Sequence, residues 1–214
     1  MDCRGLSNLQ KISIHYSAAF NDDSMIPISQ CEKLFFLEIV GCKNFTGSGI
    51  KRLKSLKHLK ILNVSENSNF QDIGAQHAFF LNLEELNLQG NPRITDHAFA
   101  HIEEKVELTR LFVSGCKGLT DKCMEDISKL QNLRWLWLGN YKITDKGIEH
   151  LNNMNQLCDL RLDYCNITDK SIIHLQRLPA LEYLSLIGCK KVSDKEINNL
   201  KRLRKGIVIP REYK

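Results

Sequence analysis

A repeat of 24 or 25 residues runs through the chain and limits what it can fold into. Each of eight units begins on a leucine and carries further apolar residues three and five positions later. Self-similarity at a fixed short period is typical of arrays in which each unit contacts only its neighbours. The units begin at Leu9, Leu34, Leu59, Leu83, Leu108, Leu133, Leu157 and Leu181.

Each unit is predicted to contain one strand and one helix. Apolar alternation such as that of Leu86 and Leu88 has the period of two that indicates a short strand with one buried face. After a loop, a Thr or Ser is expected to cap a helix, and the Asp that follows it favours the positive end of that helix. These pairs are Thr95-Asp96, Thr120-Asp121, Thr144-Asp145, Thr168-Asp169 and Ser193-Asp194.

One strand and one helix cannot bury both of their apolar faces alone, so the units must stack side by side. The sequence therefore predicts an α/β solenoid, curved, with a parallel sheet on its concave side and helices on its convex side. Residues 1–214 are predicted to form a single domain, in which 201–214 are a closing segment. Within this segment, residues 206–210 are predicted to add a ninth strand at the edge of the sheet, and Pro210 ends that strand. No polar capping unit precedes Leu9, so we expect either the C-terminal part of a longer protein or an abrupt start.

Three units show the most complete pattern, in which a Cys follows the strand and Thr-Asp or Ser-Asp precedes the helix. They run from Leu108 to Ile127, from Leu157 to Leu175 and from Leu181 to Leu200. The pattern resembles the cysteine-containing leucine-rich repeats best known from F-box/leucine-rich-repeat proteins. This resemblance implies a leucine-rich-repeat solenoid that recognises substrates for a ubiquitin ligase, with ligase subunits as partners. No F-box-like segment stands before Leu9, so that role would require a partner or a missing N-terminal region.

The composition is that of a folded intracellular protein. Hydrophobic residues at 43% suffice for a core, and charged residues at 26% are ordinary. The N-terminus has no apolar stretch, and the longest apolar run, residues 34–40, is short and broken by Glu38. We therefore expect no signal peptide and no membrane span. The chain is predicted to be a cytoplasmic or nuclear monomer whose cysteines are reduced.

The cysteines and histidines fall in columns of the repeat. Equivalent positions form a parallel row and do not converge on one metal ion. The cysteines are therefore predicted to be buried free thiols. The histidines are predicted to be half-exposed side chains on helices ~8 to 10 Å apart. We therefore predict no metal, no cofactor and no enzyme activity. The first column holds Cys42, Cys116, Cys165 and Cys189, with Asn67, Asn91 and Tyr141. The second holds His77, His101, His150 and His174, with Asp126.

Two basic clusters, residues 51–60 and 201–205, lie on predicted helices and helix ends. Leucines interleave with their lysines because one stripe of each helix is buried, which indicates solvated helix faces. With a net charge of +5, a weaker alternative stays open. In it the chain is a scaffold or pathogen effector that binds nucleic acid or acidic surfaces through the convex helices.

The residues between the buried leucines of a strand point to its other side, so the repeat predicts which side chains line the concave face. Both tryptophans of the chain fall there, on the sixth strand. Exposed Trp, Tyr and Arg dominate the hot spots of protein interfaces. The predicted partner-binding set is Arg110, Phe112, Trp135, Trp137, Asp159, Arg161, Asp163 and Tyr183.

Two interpretations of this set stay open. In one, a partner docks on it. In the other, Arg110 and Arg161 stack on Trp135 and Trp137 as a self-contained cation-π cluster. The two are compatible, because a prearranged cluster loses less entropy when a partner docks. Positive and negative charges nearly cancel along the concave face, which favours a protein or peptide ligand over nucleic acid.

Overall fold

The computed structural model describes residues 8–100, 102, 107–140 and 142–212. Within these ranges, eight short strands form one parallel sheet, in which they follow the order of the chain. This sheet confirms the predicted α/β solenoid of about eight repeats. The strands are β1 (Lys11–His15), β2 (Phe36–Val40), β3 (Ile61–Asn63), β4 (Glu85–Asn87), β5 (Arg110–Phe112), β6 (Trp135–Trp137), β7 (Asp159–Arg161) and β8 (Tyr183–Ser185).

Short helices follow the strands and pack side by side across one face of the sheet. The α-helices are α1 (Met25–Ile28), α2 (Asp72–Phe79), α3 (Lys122–Ile127), α4 (Asp145–Glu149), α5 (Asp169–Leu175) and α6 (Asp194–Leu203). Stretches of 3-10 helix span Asp22–Ser24, Ser48–Ser55, Asp96–Phe99 and His150–Asn153. The predicted caps are confirmed where the side chains of Thr95, Thr144, Thr168 and Ser193 accept a backbone N–H of the first turn.

The core lies between the sheet and the helices. The second residue of every strand points into it, and burial of such a leucine contributes about 1.5 to 3 kcal/mol. Phenylalanines fill the same layer in the first repeats, where the ring centroids of Phe20 and Phe45 are 5.5 Å apart and those of Phe45 and Phe70 are 5.7 Å apart. The buried strand residues are Ile12, Leu37, Leu62, Leu86, Leu111, Leu136, Leu160 and Leu184.

The strands pair in register, so each position of the repeat forms a row across the sheet. The first residues of the strands make the row Lys11, Phe36, Ile61, Glu85, Arg110, Trp135, Asp159, Tyr183, as the sequence predicts. The first and third residues of each three-residue repeat position, such as Trp135 and Trp137, point away from the core. So does the residue two positions after the third, such as Gly139. We call this surface the open face.

A second row, which the sequence analysis did not predict, joins the helix starts of neighbouring repeats. The carboxylate of Asp72 accepts both the backbone N–H (2.7 Å) and the hydroxyl (2.6 Å) of Thr95 in the next repeat. The Asp of the repeat therefore fastens two units together, in addition to lying at a helix N-terminus. The same two bonds join Asp22 to Thr46, Asp96 to Thr120, Asp121 to Thr144, Asp145 to Thr168 and Asp169 to Ser193.

We call this row the Asp-Thr ladder. It is interrupted between the second and third units, where Gly47 stands in place of the Asp and Gln71 in place of the Thr. There the N–H of Gln71 donates to the carbonyl of Thr46 at 3.0 Å. A backbone bond thus replaces the carboxylate at that junction.

The closing segment differs from its prediction. Residues 206–210 run parallel to β8, but they form a single bridge, between Tyr183 and Val208, and not a full ninth strand. The N–H of Leu184 donates to the carbonyl of Val208 at 2.9 Å, and that of Leu186 to the carbonyl of Pro210 at 3.2 Å. Pro210 has no N–H to return, which keeps the pairing partial.

Candidate functional site

The predicted partner-binding residues lie together on the open face, but they are not equally exposed. Trp135 is 40% exposed, and Arg110, Trp137, Arg161 and Tyr183 are half-buried. Phe112 is only 6% exposed, so the expectation that it is presented to a partner needs correction. The ring of Trp137 covers it, with 4.2 Å between the two ring centroids.

Four side chains from neighbouring strands stack on one another in this region. Phe112 packs against Trp137, and the guanidinium carbon of Arg161 lies 3.8 Å from the centroid of the Trp137 ring. The same guanidinium lies 5.1 Å from the centroid of the Tyr183 ring. We call Phe112, Trp137, Arg161 and Tyr183 the aromatic stack. It spans β5 to β8, and its members hold each other in place.

Asp159 fixes the orientation of the stack. Its Oδ1 accepts the indole N–H of Trp137 at 3.2 Å and the Nε–H of Arg161 at 3.3 Å. The indole is thereby held with its polar edge toward the carboxylate. The charge of Arg161 is also partly neutralised within the site.

A similar pair lies beside the exposed tryptophan. The Nε of Arg110 is 2.6 Å from Oε2 of Glu85, and the guanidinium carbon of Arg110 is 5.6 Å from the centroid of the Trp135 ring. Exposed cation-π contacts of this kind contribute ~0.5 to 1 kcal/mol each. The self-contained cluster of the second interpretation is therefore present, and it leaves Trp135 accessible.

Asp163 makes bonds within its own sheet. It accepts the hydroxyl of Ser185 and the backbone N–H of Ile187, the latter at 3.1 Å. These bonds hold the chain just after β8. Asp163 is therefore placed at the edge of the predicted set, as a support for the residues around it.

The structure also reveals an open pocket that the sequence analysis missed. It lies at the C-terminal end of the open face, where Arg161, Tyr183 and Ile187 meet residues 208–212. The apolar character of Ile187 and Val208 was the available signal. The path of the closing segment was needed to bring them together.

The N-terminal part of the open face contains a polar cluster around Glu38. Oε2 of Glu38 lies 2.8 Å from Nε2 of His15, and Oε1 accepts the side-chain amide of Asn63 at 2.8 Å. Burial acts to raise the pKa of the Glu38 carboxyl, but the bonds from His15 and Asn63 outweigh it and lower the pKa below its usual range. This carboxyl is therefore charged near neutral pH.

The cysteine column is buried, with Cys42, Cys116, Cys165 and Cys189 turned into the core as thiols. Burial raises the pKa of the Cys116 thiol to about 12 and that of Cys189 to about 11. Such thiols are poor nucleophiles near neutral pH. The equivalent Tyr141 lies outside the described residues, and Asn140 beside it donates to the carbonyls of Cys116 (2.9 Å) and Leu119 (3.1 Å).

The histidine column gives no chemical centre. His77 and His174 are half-buried and His150 is exposed, whereas His101 lies outside the described residues. In the part of the chain that the structure describes, no three His, Cys, Asp or Glu side chains are grouped so that they could hold a metal ion. Over the same ranges, no helix combines the length and apolarity needed to cross a bilayer.

Comparison with known proteins agrees with this architecture. The leucine-rich-repeat family matches residues 55–76 and 81–97. Internalin C2 of Listeria monocytogenes has a similar structure, with a TM-score of 0.70 and 23% identity over 97% of this chain and 82% of that one. The fold is a leucine-rich-repeat solenoid.

Two further structures resemble this leucine-rich-repeat solenoid. A leucine-rich-repeat protein of Leptospira interrogans is 22% identical, with a TM-score of 0.66 over 97% of this chain and 50% of that one. A second internalin of Listeria monocytogenes is 19% identical, with a TM-score of 0.64 over 98% of this chain and 63% of that one. The chain thus spans about half the length of the Leptospira protein. The cysteine-containing, F-box-like subtype of the repeat stays a prediction.

Proposed function

We propose that the chain is a non-catalytic interaction module that binds a protein or peptide on its open face. The observation that carries this proposal is the exposed ring of Trp135 beside the prearranged aromatic stack. Leucine-rich-repeat solenoids present extended binding surfaces of this kind. Trp, Tyr and Arg are also the residues that contribute most at protein interfaces.

The stack favours binding because its side chains are already ordered. A long side chain that is immobilised on binding costs about 0.5 to 1.5 kcal/mol, and Arg161 is held beforehand by Trp137 and Asp159. The arginines of the site are paired with carboxylates, Arg110 with Glu85 and Arg161 with Asp159. A near-neutral, aromatic surface fits a protein better than a polyanion.

Replacement of Trp135 by alanine is expected to weaken partner binding about 30-fold, the effect of losing ~2 kcal/mol at a hot spot. Partners would be recovered by affinity purification with the natural chain and identified by mass spectrometry, and the dissociation constant would then be measured with each variant. Because Trp135 is exposed, the free energy of unfolding should change by less than about 1 kcal/mol.

Phe80→Ala is the matched control, since Phe80 is an aromatic residue that is 62% exposed on the helix side. It should leave binding unchanged. The proposal fails if Trp135→Ala binds the same partners with the natural affinity. Loss of binding with Phe80→Ala alone would place the interaction on the helices.

A more specific role rests on the resemblance to F-box/leucine-rich-repeat proteins. In that role the partner is a substrate of a ubiquitin ligase, and residues 1–214 act as one monomeric domain in a reducing, intracellular compartment. The buried thiols of Cys116 and Cys189 are compatible with this setting. Ligase subunits should then co-purify with the natural chain through a bridging partner, and a purification that retains the open-face partner without them would argue against this role for residues 1–214 alone.

A second candidate function uses the basic helix surface. Lys51, Lys54 and His77 line an open pocket with Phe80 and Leu81. Burial lowers the pKa of His77, and the charge of Lys51 lowers it further, so the imidazole is neutral near pH 7. The positive charge of this pocket comes from Lys51 and Lys54. An anionic ligand would fit such a site.

If nucleic acid binds there, its affinity should fall about tenfold or more between about 50 and 200 mM salt, because counterions released on binding make the affinity strongly salt-dependent. Fluorescence anisotropy with a labelled oligonucleotide would measure this change. The double variant Lys51→Glu and Lys54→Glu should abolish the binding. Equal affinity at the two salt concentrations would exclude this second function.

A further inference from the structure

Two open pockets flank the closing segment at the C-terminal end of the sheet. One lies between residues 181–183 and 204–208, and the other between the open face and residues 208–212. Both pockets are lined by Tyr183 and Val208, the two residues of the single bridge that joins the segment to β8. Val208 is 54% exposed, so the wall between the pockets is accessible.

One backbone edge of the closing segment has no hydrogen-bond partner among the described residues. Val208 uses both its N–H and its carbonyl toward β8, and Pro210 uses its carbonyl in the same direction. Ile209, between them, makes no backbone hydrogen bond with the residues that the structure describes. In an extended chain, alternate residues direct their N–H and carbonyl groups to opposite sides. The edge away from β8 therefore offers the donor and acceptor of Ile209 to a further strand.

The chemistry of the second pocket indicates what it would accept. Ile187, Val208 and Pro210 make apolar walls. Its two arginines have carboxylate partners, because Arg161 lies 3.3 Å from Asp159 and Nη1 of Arg211 lies 3.5 Å from Asp194. Asp163 and Glu212 add two further carboxylates to its lining. A pocket with apolar walls, paired arginines and additional carboxylates suits an uncharged side chain better than a phosphate group.

We propose that the partner of the open face docks through an extended peptide segment, which pairs with the backbone of Ile209 as an added strand. This inference rests on the proposed function and names the chemistry of its partner. In an extended segment, residues i and i+2 lie on the same side, ~6.6 Å apart. Because residues that lie opposite each other in paired strands share a face, two apolar side chains spaced in this way would lie level with Val208 and Pro210. There they would pack against these two residues at the rim of the second pocket.

A phage-displayed library of random 12-residue peptides, selected on the natural chain, tests this inference. Enriched peptides should share two apolar residues separated by one position. Val208→Glu places a charge beside one of the two apolar side chains and should weaken binding of these peptides at least about tenfold. Ile173→Glu is the matched control, because Ile173 on α5 is also 54% exposed, and it should leave the affinity unchanged.

Backbone pairing is tested separately with peptides that are N-methylated at single positions. Methylation of the amide that pairs with Ile209 should cost about tenfold in affinity, whereas methylation of the next amide should cost little. Uniform tolerance to methylation would overturn the strand pairing. Failure to enrich any peptide, or full affinity with Val208→Glu, would overturn the inference as a whole. So would a change of sedimentation coefficient with Val208→Glu, since the edge would then pair two copies of this chain.

The two proposals fail in different ways. If Trp135→Ala leaves partner binding intact, the open-face function is wrong, whatever the peptides do. If Trp135→Ala abolishes partner binding but Val208→Glu has no effect, the open face binds its partner without the added strand.

Discussion

Replacement of Asn67 by alanine is expected to lower the free energy of unfolding by about 3 to 5 kcal/mol. Asn67 is fully buried in the column that holds cysteines in other repeats. Its Oδ1 accepts the N–H of Cys42 at 2.7 Å, and its Nδ2 donates to the carbonyls of Ile39 (2.7 Å) and Val64 (2.8 Å). The Val64 carbonyl also accepts Nδ2 of Asn91 at 2.9 Å, but alanine would remove this partner from the Cys42 N–H and the Ile39 carbonyl. The cost is about 1 to 3 kcal/mol for each group that is left unsatisfied and that water cannot reach.

Urea denaturation followed by circular dichroism would measure this loss. Asn69→Ala is the matched control, because Asn69 is a partly exposed asparagine that donates one hydrogen bond, to the carbonyl of Lys43 at 2.8 Å. Water can replace that bond, so the control should lose less than about 1 kcal/mol. Similar losses in the two variants would contradict the role assigned to Asn67.

Removal of one carboxylate from the Asp-Thr ladder is expected to have the next largest effect. Asp145 accepts the N–H (2.8 Å) and the hydroxyl (2.7 Å) of Thr168, together with the hydroxyl of Ser171. Asp145→Ala should lower the free energy of unfolding by about 2 to 3 kcal/mol at pH 7, because hydrogen bonds to a charged group are the stronger kind. Urea denaturation again gives the measurement.

The last repeat provides the control for this variant. Asp194 has the same position at the start of its helix, but its side chain is 89% exposed and contacts Arg211 at 3.5 Å. Exposed pairs of this kind contribute little, so Asp194→Ala should cost less than about 1 kcal/mol. A loss at Asp194 as large as that at Asp145 would mean that the ladder bonds are not the cause.

The contribution of Asp145 should also depend on pH. Burial acts to raise its pKa, but the hydrogen bonds from Ser171 and Thr168 prevail and hold the pKa below its usual range. The folded-state pKa then lies below the unfolded one, so the stabilisation is complete above about pH 4 and is lost as the pH falls through the folded-state pKa. The difference in stability between the natural chain and Asp145→Ala should shrink in acid. A difference that is constant from pH 7 to pH 3 would contradict this.

Much of the open face could be predicted because the repeat spacing decides the strand register. Once each strand begins at an equivalent position, Arg110 must lie beside Trp135, and both tryptophans must share one face. The repeat spacing does not determine the rotamers that the large side chains of neighbouring rows adopt. Phe112 is buried because the Trp137 ring turns onto it, and that rotamer depends on Asp159 and Arg161 as well.

The pocket at the closing segment and the Asp-Thr ladder were missed for different reasons. The pocket depends on the path after Gly206, whose positive φ of 95° turns the chain outside the pattern of the eight repeats. The ladder, in contrast, had a visible signal. Thr-Asp pairs in consecutive units place each carboxylate beside the next Thr, whereas the pattern of a single unit relates the Asp only to its own helix.

The interruption of the Asp-Thr ladder at Gly47 and Gln71 has a consequence for how the array tolerates mutation. The bond between the N–H of Gln71 and the carbonyl of Thr46 lies in the backbone, so substitution of the Gln71 side chain by any residue except proline leaves its donor and acceptor in place. The bonds between Asp72 and Thr95 depend on one side-chain carboxylate, and a single substitution removes them. Sequence change at the second and third units would therefore leave that junction paired on its helix side.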